Sequence, residues 1–469
     1  MITKKDLSDE QAIALKHMLK FVRNGLDQQM VLAGYAGTGK SSLINVFLDE
    51  LRKTDFFLKA YCTAPTNEAV RVISNATSTK YEMTIYSLLG LVLIEESGMK
   101  PKIMQKGKPK IHEYDIVILD EASMIGDELL VKIYEQLRKH PHLKLIYVGD
   151  SAQLPPINTS DSLFDKNPKS RDEQTESSIF KLSNKVELVK VQRVAKDNPI
   201  ISVVTPIRMN LASKEDCFDR VTKYADGSGV QFYTQTNEFI ELMYEDFLSD
   251  GYQKNNNYVR AIAYTNNTVN KLNEKIRAKI FNNETPDEFM ANEVLIVASP
   301  LVMRKNANVK EIALTTGERI KIVDAEKTYD DLLDLYVWKL LAKKYDDSND
   351  VGYELLVVAK ESENTYTYLL QEFANEAKRK LAQVSGVSGK QKSVYTAQEA
   401  WFDYYSFKEK YCKLKYSYAM TTHTSQGSTI ERVYVFERDL NILSWNDVVR
   451  NKLKYTAFTR ASKLLRILT

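Results

Sequence analysis

The sequence predicts an α/β fold organised around parallel sheets. Three observations predict it. Short apolar runs of strand length alternate with stretches of helical periodicity, a glycine-rich turn joins one such run to a helix, and 469 residues are too many for a single core. Strands alternating with helices give parallel sheets covered on both faces, and a chain of this length fits two to four domains.

The elements follow in chain order. Residues 9–23 carry apolar positions at helical spacing, with Ser8 placed to cap the helix. Met30–Ala33 reads as a short buried strand, residues 34–39 as a glycine-rich turn, and the chain from about Lys40 to Leu51 as a helix. Phe57–Thr63, Asp115–Leu119 and Leu143–Val148 read as the second, third and fourth strands. Residues 98–113 interrupt the pattern with Lys100, Lys102, Lys106, Lys108 and Lys110 among Gly98, Pro101, Gly107 and Pro109, which suits either a protruding hairpin or a solvated loop. A second α/β segment begins near Pro199, with a strand at Tyr258–Tyr264 and a helix over 267–281. From 286 to 414 the pattern changes. β-like runs at 295–303, 311–323 and 352–358, a linker-like Val384–Ser393, and the aromatics Trp338, Trp401, Tyr404, Tyr405 and Phe407 predict an inserted small β-rich domain. The strand pattern resumes at Tyr416–Thr421, Arg432–Phe436 and Leu464–Leu468.

Composition narrows the classes. Hydrophobic residues at 43% and charged residues at 27% are ordinary for a globular protein. No apolar run approaches the ~18 residues of a membrane span, and Met1–Asp6 lack the apolar region of a secretory signal, so a cytoplasmic protein without membrane contact is expected. Cys62, Cys217 and Cys412 are too scattered for a metal spacing and fit a reducing compartment. The net charge of +3 neither requires nor excludes nucleic acid, which needs a local basic groove rather than a basic whole.

The chemistry concentrates at three strand ends. Gly34-Tyr35-Ala36-Gly37-Thr38-Gly39-Lys40-Ser41 matches the P-loop pattern, in which backbone amides cradle phosphates, the lysine offsets their charge and the serine ligates Mg²⁺. Gly34, Gly37, Thr38, Gly39, Lys40, Ser41 and Ser42 are therefore the candidate nucleotide-binding residues, for ATP or GTP. Asp120 and Glu121 close the third strand, where an acid reaches the metal beside a P-loop. Asp120 suits Mg²⁺ and Glu121 suits the polarisation of the attacking water. Gln153, in the turn after the fourth strand, is a candidate sensor of the γ-phosphate.

Together these stretches resemble superfamily 1 helicases, in the RecD-like branch that moves 5′ to 3′. The resemblance runs from Leu7 to the C-terminal residues and is weakest across 286–414. It implies ATP rather than GTP, because Gln11 matches the glutamine that reads adenine. In Thr63-Ala64-Pro65-Thr66-Asn67, the residues Thr66 and Asn67 match contacts to a DNA phosphate. Thr84 and Tyr86, in Thr84–Gly90, match a further strand-contacting motif, although relatives carry histidine where this chain has Tyr86. Arg193, in Val191-Gln192-Arg193-Val194, and Arg460, in Tyr455–Ala461, match arginines directed at the γ-phosphate, a task suited to a planar permanent cation. In Thr421–Gly427, Thr421 and His423 match contacts to the DNA backbone, and Gln426 and Gly427 match residues facing the nucleotide. Thr424 stands where relatives carry lysine, which costs one electrostatic contact.

The resemblance further implies two RecA-like motor domains, the first over 1–90 and 114–195 and the second over 196–285 and 415–469. It implies a pin hairpin over 91–113 and an SH3-like accessory domain over 286–414. The expected activity is ATP-dependent translocation on single-stranded DNA and separation of duplex strands, with fork DNA as substrate and Mg²⁺ as the metal. A single-stranded-DNA-binding protein or replisome components would be partners, and a phage-borne gene would act in the host bacterial cytoplasm during replication or recombination. An RNA or RNA–DNA helicase and a slow, non-motor P-loop switch are the alternative readings.

Overall fold

Apolar runs of four to six residues become the central strands of two parallel sheets, because strands covered by helices on both faces have no polar side. The computed structural model describes the chain except for residues 1–2, 24–26, 55–56, 78, 80, 82, 95–101, 156–176, 191–197, 226, 307–308, 346–351, 385–389 and 444. These residues form two compact units, one of residues 1–272 with 419–469 and one of residues 273–418.

The first sheet takes its strands from the first 188 residues. After α1 (Asp9–Arg23) come β1 (Gln29–Gly34), α2 (Lys40–Thr54), β2 (Ala60–Thr63), α3 (Asn67–Thr77) and α4 (Ile85–Leu88). A two-stranded antiparallel hairpin of β3 (Leu91–Ile94) and β4 (Lys102–Gln105) follows. β5 (Ile116–Leu119), α5 (Asp127–Lys139), β6 (Lys144–Gly149) and β7 (Lys185–Leu188) complete the lobe. The sheet order is β2-β5-β6-β1-β7, and β5 and β6 are buried along their whole length. This order puts the C-terminal ends of β1, β5 and β6 side by side. Ser8 caps α1 as its type predicts: its Oγ accepts from the Gln11 amide at 3.3 Å, and the Gln11 side chain accepts from the Ser8 amide at 3.0 Å.

Two expectations for this lobe are corrected. The second strand begins at Ala60 rather than Phe57, whose side chain is 89% exposed, so the apolar Phe57 is no part of the core. The hairpin pairs Leu91–Ile94 with Lys102–Gln105, within the expected 91–113, so the lysine-rich 98–113 supplies only its second strand. Residues 106–110 instead lead the chain back to the sheet, where Ile111 is fully buried. The turn is fixed by Gly90 (φ +67°), whose carbonyl accepts from the amides of Lys106 and Gly107 at 2.9 Å each. A Cβ at Gly90 would stand 2.4 Å from the Gly107 carbonyl oxygen.

The second sheet is assembled from two stretches of chain. α6 (Pro199–Met209), β8 (Lys223–Ala225), β9 (Ser228–Tyr233), α7 (Thr236–Leu248), α8 (Asp250–Lys254), β10 (Val259–Ala263) and α9 (Asn266–Ile280) come first. β18 (Ala419–Thr421), β19 (Ile430–Phe436), α12 (Glu437–Leu440), α13 (Asp447–Phe458) and β20 (Ala461–Leu468) return to it. The order is β18-β10-β19-β20-β9-β8, and every pair except β8–β9 is parallel. Its core holds Ile200, Val203 and Ile207 of α6 with Val433, Val435, Phe458 and Ile467. Ala152 and Leu154, from the loop after β6, are buried in this same cluster.

The intervening unit carries β11 (Val294–Val297), β12 (Leu301–Asn306), β13 (Val309–Leu314), β14 (Arg319–Asp330), β15 (Leu335–Lys344), β16 (Tyr353–Val358), α10 (Glu363–Val384), α11 (Lys390–Lys410) and β17 (Leu414–Tyr416). Five of its strands form an antiparallel sheet ordered β16-β15-β14-β11-β17, and β12 and β13 pair separately. The expectation of a β-rich insert over 286–414 is therefore corrected in part, since 363–410 is mostly helical. The aromatics Trp401, Tyr404, Tyr405, Phe407 and Tyr411 recur at three- and four-residue steps, which is a helix period. Phe407 of α11 and Tyr411 just beyond its end pack with Tyr366 of α10. The run expected as one strand over 416–421 divides at Ser417–Tyr418 into β17 and β18, which belong to different sheets.

Candidate nucleotide and nucleic-acid site

The loop from Gly34 to Ser41 is shaped by its glycines. Gly37 (φ +80°) and Gly39 (φ +78°) take left-handed conformations that a side chain would strain. A Cβ at Gly34 would come within 2.9 Å of the Thr38 Oγ1. The Thr38 hydroxyl donates to the Tyr35 carbonyl at 2.9 Å, and α2 begins where the Leu43 amide donates to the Gly39 carbonyl. The Lys40 Nζ donates to the carbonyls of Gly34 (2.8 Å) and Tyr35 (3.0 Å). Burial holds its ammonium below the ordinary lysine range, against the opposing pull of Asp150, Asp120 and Glu121. Gln11 is buried, and its amide donates to the Thr38 carbonyl at 3.0 Å while its carbonyl serves Ser8.

Asp120 and Glu121 sit at the head of β5. The Asp120 Oδ1 accepts from the Glu121 amide at 2.9 Å. Glu121 is in the left-handed region (φ +52°), a conformation that costs a non-glycine residue about 1 kcal/mol or more and clusters at functional sites. The hydroxyl of Ser41 in the first turn of α2 and the carboxylate of Asp120 are hard oxygen donors, the type Mg²⁺ takes alongside phosphates and water. Gln153 is 5% exposed, and its Oε1 has no hydrogen-bond partner among the described residues.

The second sheet reaches this site through the loop after β6 and through α13. The Lys452 Nζ donates to the carbonyls of Ser151 (2.5 Å) and Gln153 (3.3 Å). The Leu154 amide donates to the Thr456 Oγ1 at 3.2 Å, and the Gln426 amide donates to the Leu154 carbonyl at 3.2 Å. A Cβ at Gly427 (φ +78°) would lie 3.4 Å from the Ala69 Cβ and 3.9 Å from the Glu121 Oε1. The turn at Gln426–Gly427 thus lies against Glu121 and the start of α3. Arg460 is 5% exposed and donates to Thr456 O (3.0 Å), Ser428 O (3.2 Å) and Thr459 Oγ1 (3.1 Å). Its guanidinium is held at the end of α13. Arg193 lies outside the described residues.

The expected DNA contacts fall on two turns of the first lobe and one of the second. Thr66 caps α3, accepting from the Ala69 amide at 3.2 Å, with Asn67 as the first helical residue. Thr84 caps α4, accepting from the Ser87 amide at 3.3 Å, and Tyr86 packs partly buried beneath it. These two turns are tied together by the Ile85 amide on the Ala64 carbonyl (3.0 Å) and the Thr63 hydroxyl on the Met83 carbonyl (2.8 Å). In the second lobe the Thr421 Oγ1 accepts from the Thr424 amide at 3.2 Å, and the Thr422 amide donates to the Ala263 carbonyl. Ala69, just after the Thr66 cap, is the residue that meets Gly427, so the two turns share one neighbourhood.

Burial pushes the His423 imidazole down to about 4, so it is neutral near pH 7. A folded pKa below the unfolded value of about 6.5 means that stability is full above pH 6.5 and falls as pH drops towards 4. Chemical denaturation at pH 7 and pH 4.5 is expected to show His423→Gln losing about 2 kcal/mol less than wild type over that interval. Equal losses in the two proteins would contradict the buried neutral histidine.

Sequence reasoning missed four contributors. Asp150 lay unremarked in the turn that carries Gln153, and Lys452 just ahead of the Tyr455–Ala461 motif. Tyr455 lay inside that motif, from which only Arg460 was singled out. Arg208, at the end of α6, carried no local signal.

A P-loop at the head of one parallel sheet, with a second parallel sheet clasping its strand-end loops, defines a two-domain P-loop ATPase of the nucleic-acid motor class. Residues 21–159 match the AAA domain family, and residues 416–468 match the UvrD-like helicase C-terminal domain. The chain is similar to superfamily 1 helicases of the Dda, RecD and Pif1 type. It is 26% identical over 454 residues to the ATP-dependent DNA helicase dda of Enterobacteria phage T4, covering 93% of each chain. It is 28% identical over 198 residues to the ATP-dependent RecD2 DNA helicase of Deinococcus radiodurans, covering 42% of this chain and 23% of that protein. Among solved structures, the Pif1 helicase from Candida albicans aligns with 99% of this chain and 94% of its own, at 17% identity and a TM-score of 0.49.

Proposed function

We propose that this protein is an ATP-dependent DNA helicase that tracks along single-stranded DNA 5′ to 3′ and opens forked duplexes, in a phage-type replication or recombination setting. The observation that carries the reading is the clasp between lobes. Gln426 and Gly427 of the second lobe meet Leu154 and Glu121 of the first, so a change at the nucleotide is felt by both sheets. Phosphates entering the P-loop take the place of the carbonyls on Lys40, and Glu121 is the base for the attacking water. Ser41 and Asp120 would hold Mg²⁺, which would supply positive charge to the phosphates. Arg460, and Arg193 by family resemblance, would stabilise the charge of the transferring phosphoryl group. Closing around nucleotide and reopening after hydrolysis moves Thr66, Asn67, Thr84 and Tyr86 relative to Thr421 and His423 along a strand gripped by its phosphates.

The deciding experiment is steady-state ATP hydrolysis with and without poly-dT, with poly-U as comparison. Stimulation of tenfold or more by poly-dT, and less by poly-U, is expected. Turnover indifferent to any strand would reduce the protein to a nucleotide switch.

The β3–β4 hairpin is the candidate pin. Leu93 and Met104 on it are 48% and 51% exposed, apolar surface that a separating base pair can stack against. The SH3-like kinship of 286–414 rests on its position in the chain and on the antiparallel sheet there. Replacing residues 93–104 by a short glycine turn is expected to lower fork unwinding at least tenfold while DNA-stimulated ATPase stays within twofold. Unwinding at the wild-type rate would remove the pin assignment. A single-stranded-DNA-binding protein or replisome components remain the partners that the family suggests, in the cytoplasm. Among the described residues no helix is long and apolar enough to cross a membrane.

A further inference from the structure

Two P-loop residues are held by the second lobe, and both holds end on one carboxylate. The Tyr455 hydroxyl of α13 accepts from the Ala36 amide at 3.1 Å and donates to the Asp150 Oδ2 at 2.5 Å. The Arg208 guanidinium of α6 lies 3.4 Å from the centre of the Tyr35 ring and donates to the Asp150 Oδ1 at 3.1 Å. Its other end reaches the Glu187 Oε1 at 3.3 Å. Asp150 itself is fully buried at the end of β6, and its Oδ1 also accepts from the Ala152 amide at 3.1 Å. Tyr455 is 1% exposed, and burial beside Asp150 keeps its phenol protonated as a donor.

The same helix leads into Arg460, the arginine expected to face hydrolysis. Thr456, next to Tyr455, holds the Leu154 amide, and Arg460 is anchored on the Thr456 carbonyl. The position of Arg460 is therefore referenced to the P-loop through the Tyr455 hydroxyl. We propose that Tyr455 is a positioning residue, seconded by Arg208, that locks α13 to the P-loop at Ala36 and Asp150, so that Arg460 is placed for the transition state rather than for nucleotide binding. The proposal rests on the motor reading above and adds to it a residue whose hydroxyl touches no reacting atom.

Tyr455→Phe keeps the ring in its core and removes only the hydroxyl. Interactions made only in the transition state lower kcat with little change in KM. With poly-dT present, kcat is expected to fall tenfold or more while KM for ATP changes less than threefold. ADP–aluminium fluoride, a mimic of the transferring phosphoryl group, should bind at least tenfold more weakly, and ADP within twofold of wild type. Arg208→Lys, which keeps the cation beside Asp150 but loses the planar stack on Tyr35, should show the same split to a smaller degree. It serves as the test if the phenylalanine variant does not fold. If ADP and the mimic weaken together, or neither weakens, Tyr455 is merely structural and the proposal is overturned. Wild-type protein without DNA-stimulated turnover would instead overturn the motor reading and this proposal with it.

Discussion

Lys40→Ala is expected to lower steady-state ATP turnover by about 10³-fold, since a preorganised donor aimed at charge that develops in the transition state is worth roughly 10²–10³ in rate and this one is a full cation. The fold should tolerate the change. Lys40 gives the P-loop two hydrogen bonds, each worth about 1 kcal/mol net, but it keeps a cation where burial disfavours one. The two terms oppose, so denaturant stability should stay within about 1 kcal/mol of wild type. Turnover within tenfold of wild type in pure variant protein would remove Lys40 from the phosphate site, and with it the P-loop chemistry.

Glu121→Gln should be nearly as damaging to turnover but leave ATP binding intact. Exchanging a general base for its amide typically costs 10²–10⁴-fold, while the volume and the left-handed backbone are kept. The strain at φ +52° is common to both proteins, so thermal stability should not move. The variant should bind ATP with an affinity within threefold of wild type, measured by equilibrium titration, and hydrolyse it at least 10²-fold more slowly. If kcat changes less than threefold, the base lies elsewhere. Glutamate and lysine variants then separate the roles: one loses hydrolysis alone, the other weakens the grip on phosphate as well.

What could be read in advance follows from how local each feature is. The P-loop, α1 with its Ser8 cap and the buried runs that became β1, β5 and β6 are written in contiguous residues, and their chemistry is set within a dozen positions. The helical pair α10–α11 was missed although Trp401, Tyr404 and Tyr405 carry the right spacing, because aromatics that also favour strands drew the reading toward a sheet. β8 was missed because it is only three residues long, and β9 because only two of its six positions are buried. The network around Asp150 is a different kind of omission. Tyr455 and Asp150 are 305 positions apart, Arg208 and Asp150 are 58 apart, and no local pattern announces either bond. Arg460 shows the converse: its motif was plain, but its present engagement with Thr456 and Ser428 depends on packing that only the folded chain reveals.

The strand order of the second sheet bears on how a nascent chain acquires it. β9 pairs with β20 through Gly229–Leu464 to Tyr233–Leu468, and β20 stands between β9 and β19. The first lobe has all its strands by Leu188, so it can fold while the ribosome is still at work. β9 emerges soon afterwards and then lacks its main neighbour until residues 461–468 are made. At roughly 5–20 residues per second that interval lasts about ten to fifty seconds. The antiparallel sheet within 273–418 closes entirely on its own residues in the meantime. β9 is thus an open strand edge for longer than any other part of the chain, and open edges recruit foreign strands. Newly made protein should be most dependent on chaperones during that window, and aggregation-prone fragments should be those ending between β9 and β20.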